Sequence, residues 1–148
     1  MVRLMRGGTQ AQLIQTNDLG FYVVKFINNP QHRRILANEM PSSLLLIHLG
    51  LPTPPMPLVS LDARFLLDHR DDVYIQGKHE RISPRPGQHF GSSYPGSPFK
   101  DVVYEFLPDV VLSQIVNIEA FVVYSLLTSG LGTPTLGSAS FRIQRLAS

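Results

Sequence analysis

Polar and apolar residues alternate in short runs over the first part of the chain. Ala11–Thr16 and Phe21–Ile27 are rich in β-branched and aromatic residues, and Asn17-Asp18-Leu19-Gly20 separates them. The runs suit a half-buried pleat, and the Asn, Asp and Gly cluster supplies the positive φ angles that a hairpin turn needs. With the short run ahead of Gly7-Gly8, the pattern predicts two or three antiparallel strands between Val2 and Ile27.

A change of period follows. Asn28-Asn29-Pro30 combines capping side chains with a proline suited to a first helical turn, and Ile35, Leu36, Leu44, Leu45, Ile47 and Leu49 then recur at helical spacing up to a stop at Gly50. Pro41 removes a backbone donor inside this helix and is expected to kink or split it. Leu51–Pro55 reads as a rigid connector, 56–61 as a strand, 63–69 as a short helix and 73–76 as a further strand. From there to about residue 100, the glycines and prolines around Arg81, Arg85, His89 and Gly91 predict a long loop. Val102–Leu107 reads as a strand, and Pro108-Asp109 opens a helix running to about Leu127. Residues 128–148 hold Gly, Ser, Thr and Pro without periodicity.

Composition narrows the function classes. A chain of 148 residues can bury a sizeable core, roughly two thirds of its unfolded surface. It has no cysteine, which excludes disulfides, thiolate catalysis and zinc–thiolate or iron–sulfur sites. The net charge is +2 with the cations scattered, so nucleic acid is not an expected partner. No apolar h-region follows Arg3 and Arg6, and Gln114, Asn117 and Glu119 interrupt the longest apolar stretch. Neither a secretory leader nor a membrane span is expected, and the default location is the cytoplasm.

Three groups of residues could carry chemistry. Gly7-Gly8 lies between two predicted strands, with Lys25 in the third strand and Glu39 in the following helix. Glycines let backbone amides approach phosphates, a strand lysine supplies a fixed positive charge, and a carboxylate on the next helix can hold that lysine in an ion pair. The bland alternative is an ordinary turn and a solvated edge lysine. Glu39, one turn beyond Ile35, needs a partner if it faces inward; Lys25 competes for it with His32, Arg33 and Arg34. The third group, Arg81, Arg85, His89 and Tyr94, lies in the predicted loop and reads as a solvated segment or an anion or partner contact. The five histidines show no metal-ligand spacing. No nucleophile elbow or Walker lysine motif is present.

Several blocks in order carry a family resemblance. Arg6-Gly7-Gly8-Thr9-Gln10-Ala11-Gln12-Leu13, Phe21–Phe26, Asn28–Arg34 and Leu36-Ala37-Asn38-Glu39 resemble the start of bacterial HipA-like kinase domains. So do Leu49–Pro55, Arg85–Ser92 and Val103–Pro108, so the likeness covers roughly residues 5 to 121. It implies an α+β fold, a kinase-like amino-terminal lobe with an antiparallel sheet and one packed helix, followed by a helical segment and an irregular tail. In that lobe Gly7 and Gly8 cover the phosphates, Lys25 holds the phosphates of ATP, Glu39 pairs with Lys25, and Glu105 and Phe106 belong to the hinge that meets adenine. Pro41 and Ser42 depart from the unbroken helix of the family.

The larger departure follows Phe121. The family continues into a segment resembling Phe-Asp-Lys-Trp-Thr-x-Asn-x-Asp-x-Arg-Gln, which supplies the catalytic base and metal ligands of phosphoryl transfer. Tyr124–Gly137 contains neither the Asp, the Lys, the Trp nor the Asn. Codons permitted for 125–138, read one frame over, can spell Ala-Phe-Asp-Lys-Trp-Thr-Gly-Asn-Thr-Asn-Ala-Arg-Gln, which suggests a frameshift between about Phe121 and Ser125; the gene sequence decides this. The expected organisation is therefore a kinase-like part over 1–123 and an out-of-frame tail over 124–148. ATP is the implied ligand, Mg²⁺ is not expected to be held by this chain alone, and no catalytic or metal-ligating residue is assigned. The alternative is a non-catalytic interaction protein built on the same lobe.

Overall fold

The computed structural model describes residues 2–4, 10–30, 33–51, 53–94 and 96–99, and isolated helical positions at 119, 122, 123 and 126; the side chains of 2–4 and 33–39 lie outside the description. The chain divides into two compact units, Met1–Leu36 with Pro55–Asp101, and Ala37–Pro54 with Val102–Ser148. The fold is α+β, as expected. The predicted strand at Val102–Leu107, most of the helix after Pro108, and the tail fall outside the described residues.

The first unit is built on strands β1 (Val2–Leu4), β2 (Gln12–Gln15), β3 (Phe21–Lys25), β4 (Leu58–Leu61) and β7 (Gly87–Ser93), in an antiparallel sheet of order β1-β2-β3-β7-β4. The three amino-terminal strands form the predicted meander, with Leu13 opposite Val23 and Ile14 opposite Tyr22. The turn between β2 and β3 uses its residues differently from the expectation. Its positive φ, 63°, falls on Leu19 rather than on Asn17, Asp18 or Gly20. The Asp18 carboxylate is occupied instead, accepting from Thr16 Oγ1, from Gly20 N–H at 2.9 Å and from the Tyr22 hydroxyl at 2.8 Å.

Alternation along the strands sorts the sheet into two faces. Ile14, Tyr22, Val24, Gly91, His89, Val59 and Leu61 share one; Leu13, Val23, Lys25, Ser92, Phe90 and Leu58 share the other. The first face carries the apolar core, where Ile14, Val24, Val59 and Leu61 meet Phe26, Leu66, Val73 and Ile75. Leu66 comes from helix α2 (Ala63–Asp68), found where expected because Asp62 caps it, accepting from Phe65 N–H at 2.6 Å. Val73 and Ile75 lead into a two-stranded pair, β5 (Ile75–Gln76) with β6 (Arg81–Ile82). Two glutamines tie that pair to the sheet. Gln10 exchanges two hydrogen bonds with the backbone of Gln76, at 2.6 and 3.0 Å, and Gln12 Nε2 donates to Tyr74 O at 2.9 Å.

The predicted long loop is therefore overturned. It contains β6 and, in β7, an interior strand bonded on both sides. The segment Gly87-Gln88-His89-Phe90-Gly91-Ser92-Ser93 lacks the β-branched alternation that marks strands, and tertiary pairing rather than propensity makes it one. Gly91 shows why the composition is small. A Cβ there would lie 2.6 Å from Val59 Cγ2 and 3.1 Å from Pro57 O.

In the second unit, residues from Ala37 onward belong to helix α1 (Arg33–His48), which is continuous through Pro41, so the proline does not split it. Leu46, Ser42 and Ser43 are buried, whereas Met40, Leu44, Leu45 and Ile47 are exposed. The helix ends as predicted at Gly50. Gly50, at φ 69°, donates to Ile47 O and Leu51 donates to Leu46 O, the pair of bonds that satisfies the last carbonyls when the residue after the cap is left-handed. Among the described residues no helix is long and apolar enough to cross a membrane.

Candidate functional site

Of the six residues singled out for a nucleotide site, Lys25 is the one whose side chain is described. It closes β3, pairs across the ladder with Phe90 of β7, and is 8% exposed. It is an interior-strand residue on the face opposite the apolar cluster, so the solvated-edge alternative does not hold. Gly7 and Gly8 fall between β1 and β2 but outside the described residues. Glu39 falls on α1, the helix that follows β3, and its side chain is outside the description, as are Glu105 and Phe106. The elements β1, β2, β3 and α1 follow one another in the expected order.

Ser92 is a neighbour of Lys25 that sequence reasoning missed. It stands on β7 opposite Val23, one pleat along from Phe90 on the same sheet face, and its hydroxyl is buried with no hydrogen-bond partner among the described residues. A buried hydroxyl without a partner is uncommon, because its desolvation costs about 1–3 kcal/mol when nothing replaces water. No signal in Ser92-Ser93 distinguishes it from loop serine, since its placement depends wholly on pairing with β3.

The group Arg81, Arg85, His89 and Tyr94 does not form one surface site. The Arg81 guanidinium lies over the Tyr74 ring at 4.2 Å, a cation–π contact. Arg85 is exposed, with its N–H donating to Asn28 Oδ1 at 3.3 Å. His89 is fully buried, with its ring edge-on to Phe26 at 5.5 Å. Its Nδ1 accepts from Ile27 N–H at 3.3 Å and its Nε2 donates to Arg85 O at 2.9 Å, which fixes a neutral ring protonated at Nε2. Burial pushes its pKa down, with the bond to Arg85 acting the other way. Tyr94 is buried and its N–H donates to Phe21 O at 2.8 Å. Among the described residues no three His, Asp or Glu side chains converge as a metal site requires.

A separate groove of about 330 Å³ lies between the β2–β3 turn and the strand β4. Thr16, Asp18 and Tyr22 line one side, and Ser60, Asp62 and Phe65 the other. The hydrogen bonds from Thr16, Tyr22 and Gly20 hold the Asp18 carboxyl below its ordinary value, and the bond to Asp18 raises the Tyr22 hydroxyl. Asp18 is thus firmly ionised at neutral pH. The two carboxylates lie far apart in sequence and belong to unrelated turns, so no motif could have announced the groove. Comparison with protein-family models, with curated proteins and with solved structures gives no match for this chain.

Proposed function

We propose that the chain is the amino-terminal, nucleotide-cradling part of a HipA-like serine/threonine kinase, without phosphotransferase activity of its own. The observation that carries the proposal is Lys25: a lysine 8% exposed, on an interior strand, after a strand–glycine–strand sequence and before a helix bearing Glu39. Lys25 gives this sheet face a fixed positive charge, and a phosphate is the anion that this order of elements serves. The Ser92 hydroxyl on the same sheet face adds a donor. Turnover is excluded from the proposal because 124–148 lacks the residues that would position an attacking hydroxyl and hold Mg²⁺.

The test is thermal unfolding with and without ATP. At about a hundred times its dissociation constant a ligand that binds the folded state alone stabilises by about 2.7 kcal/mol, a rise of roughly 5–10 °C for a chain of this size. Lys25→Ala should abolish that rise. No shift for the wild type at millimolar ATP, or an equal shift for both proteins, removes the nucleotide reading. Transfer of the γ-phosphate by the purified chain contradicts the inactivity. A non-catalytic interaction protein on the same lobe is the second reading, favoured by the exposed edge strand β4.

A further inference from the structure

Strand β4 is the last in the sheet order, so β7 pairs with it on one side only. The hydrogen bonds Ser93 N–H to Pro55 O, at 2.8 Å, and Gly91 N–H to Pro57 O, at 3.0 Å, set the phase of the ladder. Continued at every second residue, that phase turns the backbone groups of Val59 and Leu61 toward β7, and those of Leu58 and Ser60 outward. Among the described residues no other backbone group bonds to Leu58 or Ser60. Both residues are exposed, Leu58 at 54%. An open edge of this kind is a template for an added strand.

The two sides of that edge differ in chemistry. On the core face runs the groove between β4 and the β2–β3 turn, lined by the Asp18 and Asp62 carboxylates and the Tyr22 and Phe65 rings, and among the described residues by no Lys, Arg or His. On the opposite face Leu58 presents an exposed apolar side chain. The protein as a whole carries +2, so the groove is a local acidic exception in a basic chain.

We infer that β4 receives an extended peptide segment of a partner protein whose alternate residues are cationic and apolar. The segment adds as a sixth strand by bonding to the backbone of Leu58 and Ser60. Its Arg or Lys side chains enter the groove toward Asp18 and Asp62, with Tyr22 and Phe65 offering ring faces to the guanidinium, and its apolar side chains cover Leu58. This interaction does not depend on nucleotide binding at Lys25.

The test uses the full chain and a fluorescein-labelled probe, Val-Arg-Val-Arg-Val-Arg-Val, followed by fluorescence anisotropy. Saturable binding is expected, at least about tenfold weaker for the counterpart with Glu at each Arg position, and weakening with added salt. Ser60→Pro, which removes an outward donor and leaves the bonds to β7, should reduce affinity about tenfold or more. Asp62→Asn, which keeps the cap of α2, should reduce it severalfold. A probe N-methylated at alternate residues reports on backbone pairing without altering the protein, so the result stands even if Ser60→Pro does not fold. Absence of binding by the Arg probe, equal binding of the Arg and Glu probes, or equal binding of the N-methylated probe overturns the inference.

Discussion

The β2–β3 hairpin and the strand β7 lie side by side in one sheet but are held by different physics. The hairpin is organised from within. Thr16, Asp18, Gly20 and Tyr22 hydrogen-bond one another across a few positions, so the turn that joins β2 to β3 is fixed by its own residues. β7 depends mainly on distant partners, with one local bond from His89 Nε2 to Arg85 O. It is a strand because β3 and β4 flank it, because His89 reaches Ile27, and because Gly91 admits Val59. The hairpin should therefore tolerate change at single positions, whereas β7 should respond sharply to small substitutions.

His89→Leu tests this difference most severely. The leucine keeps the apolar volume beside Phe26 but removes the partner of Ile27 N–H and of Arg85 O, two bonds worth up to about 1.5 kcal/mol each. A loss of about 3 kcal/mol in chemical denaturation is expected. The wild type should also carry a pH signature. Protonation puts a second N–H on Nδ1, directed at the Ile27 N–H, and burial already holds the folded pKa below the ordinary value of 6.5. The stability contributed by the neutral ring is present above 6.5 and is lost as pH falls through the lower folded value. His89→Leu should remove this component of the slope, and an unchanged slope would show that the ring titrates freely.

Gly91→Ala ranks next. The added methyl meets Val59 Cγ2 at 2.6 Å and Pro57 O at 3.1 Å, and a valine held in a core has little rotamer freedom with which to retreat. About 2 kcal/mol of destabilisation is expected. Pairing it with Val59→Ala should give a smaller total than the sum of the two single changes, since the second makes room for the first. Additive losses would locate the strain elsewhere.

The same contrast explains what could be read from the amino acids. The meander, the short helix capped by Asp62, and the stop at Gly50 follow from neighbours within a few residues of one another, and all were legible. Lys25 was legible as a strand residue, but its interior position was not, because that depends on β7 lying beside it. β7 itself reads as loop because glycine and serine are chosen there for close approach rather than for pleat propensity. Ser92 and the Asp18–Asp62 groove inherit that opacity, since each exists only after distant segments pair. At Pro41 a strong local rule predicted a kink or a split, and the helix is not split there.

The smallest effect belongs to the hairpin, and its sign is opposite. Leu19 holds φ at 63°, a conformation that costs an ordinary L-residue about 1 kcal/mol or more, and with 75% exposure its side chain gains little burial in return. Its N–H donates to Thr16 O at 3.0 Å, and the returning bond from Thr16 N–H to Gly20 O is also 3.0 Å, so the backbone rather than the leucine side chain sets the turn. Leu19→Gly relieves the left-handed strain, while the greater freedom of glycine in the unfolded chain takes back part of the gain. A net stabilisation of roughly 0.5 kcal/mol should remain, measured by denaturant titration beside the wild type. A loss instead would mean that Leu19 is covered in solution, and that the hairpin tip depends on a distant contact just as β7 does.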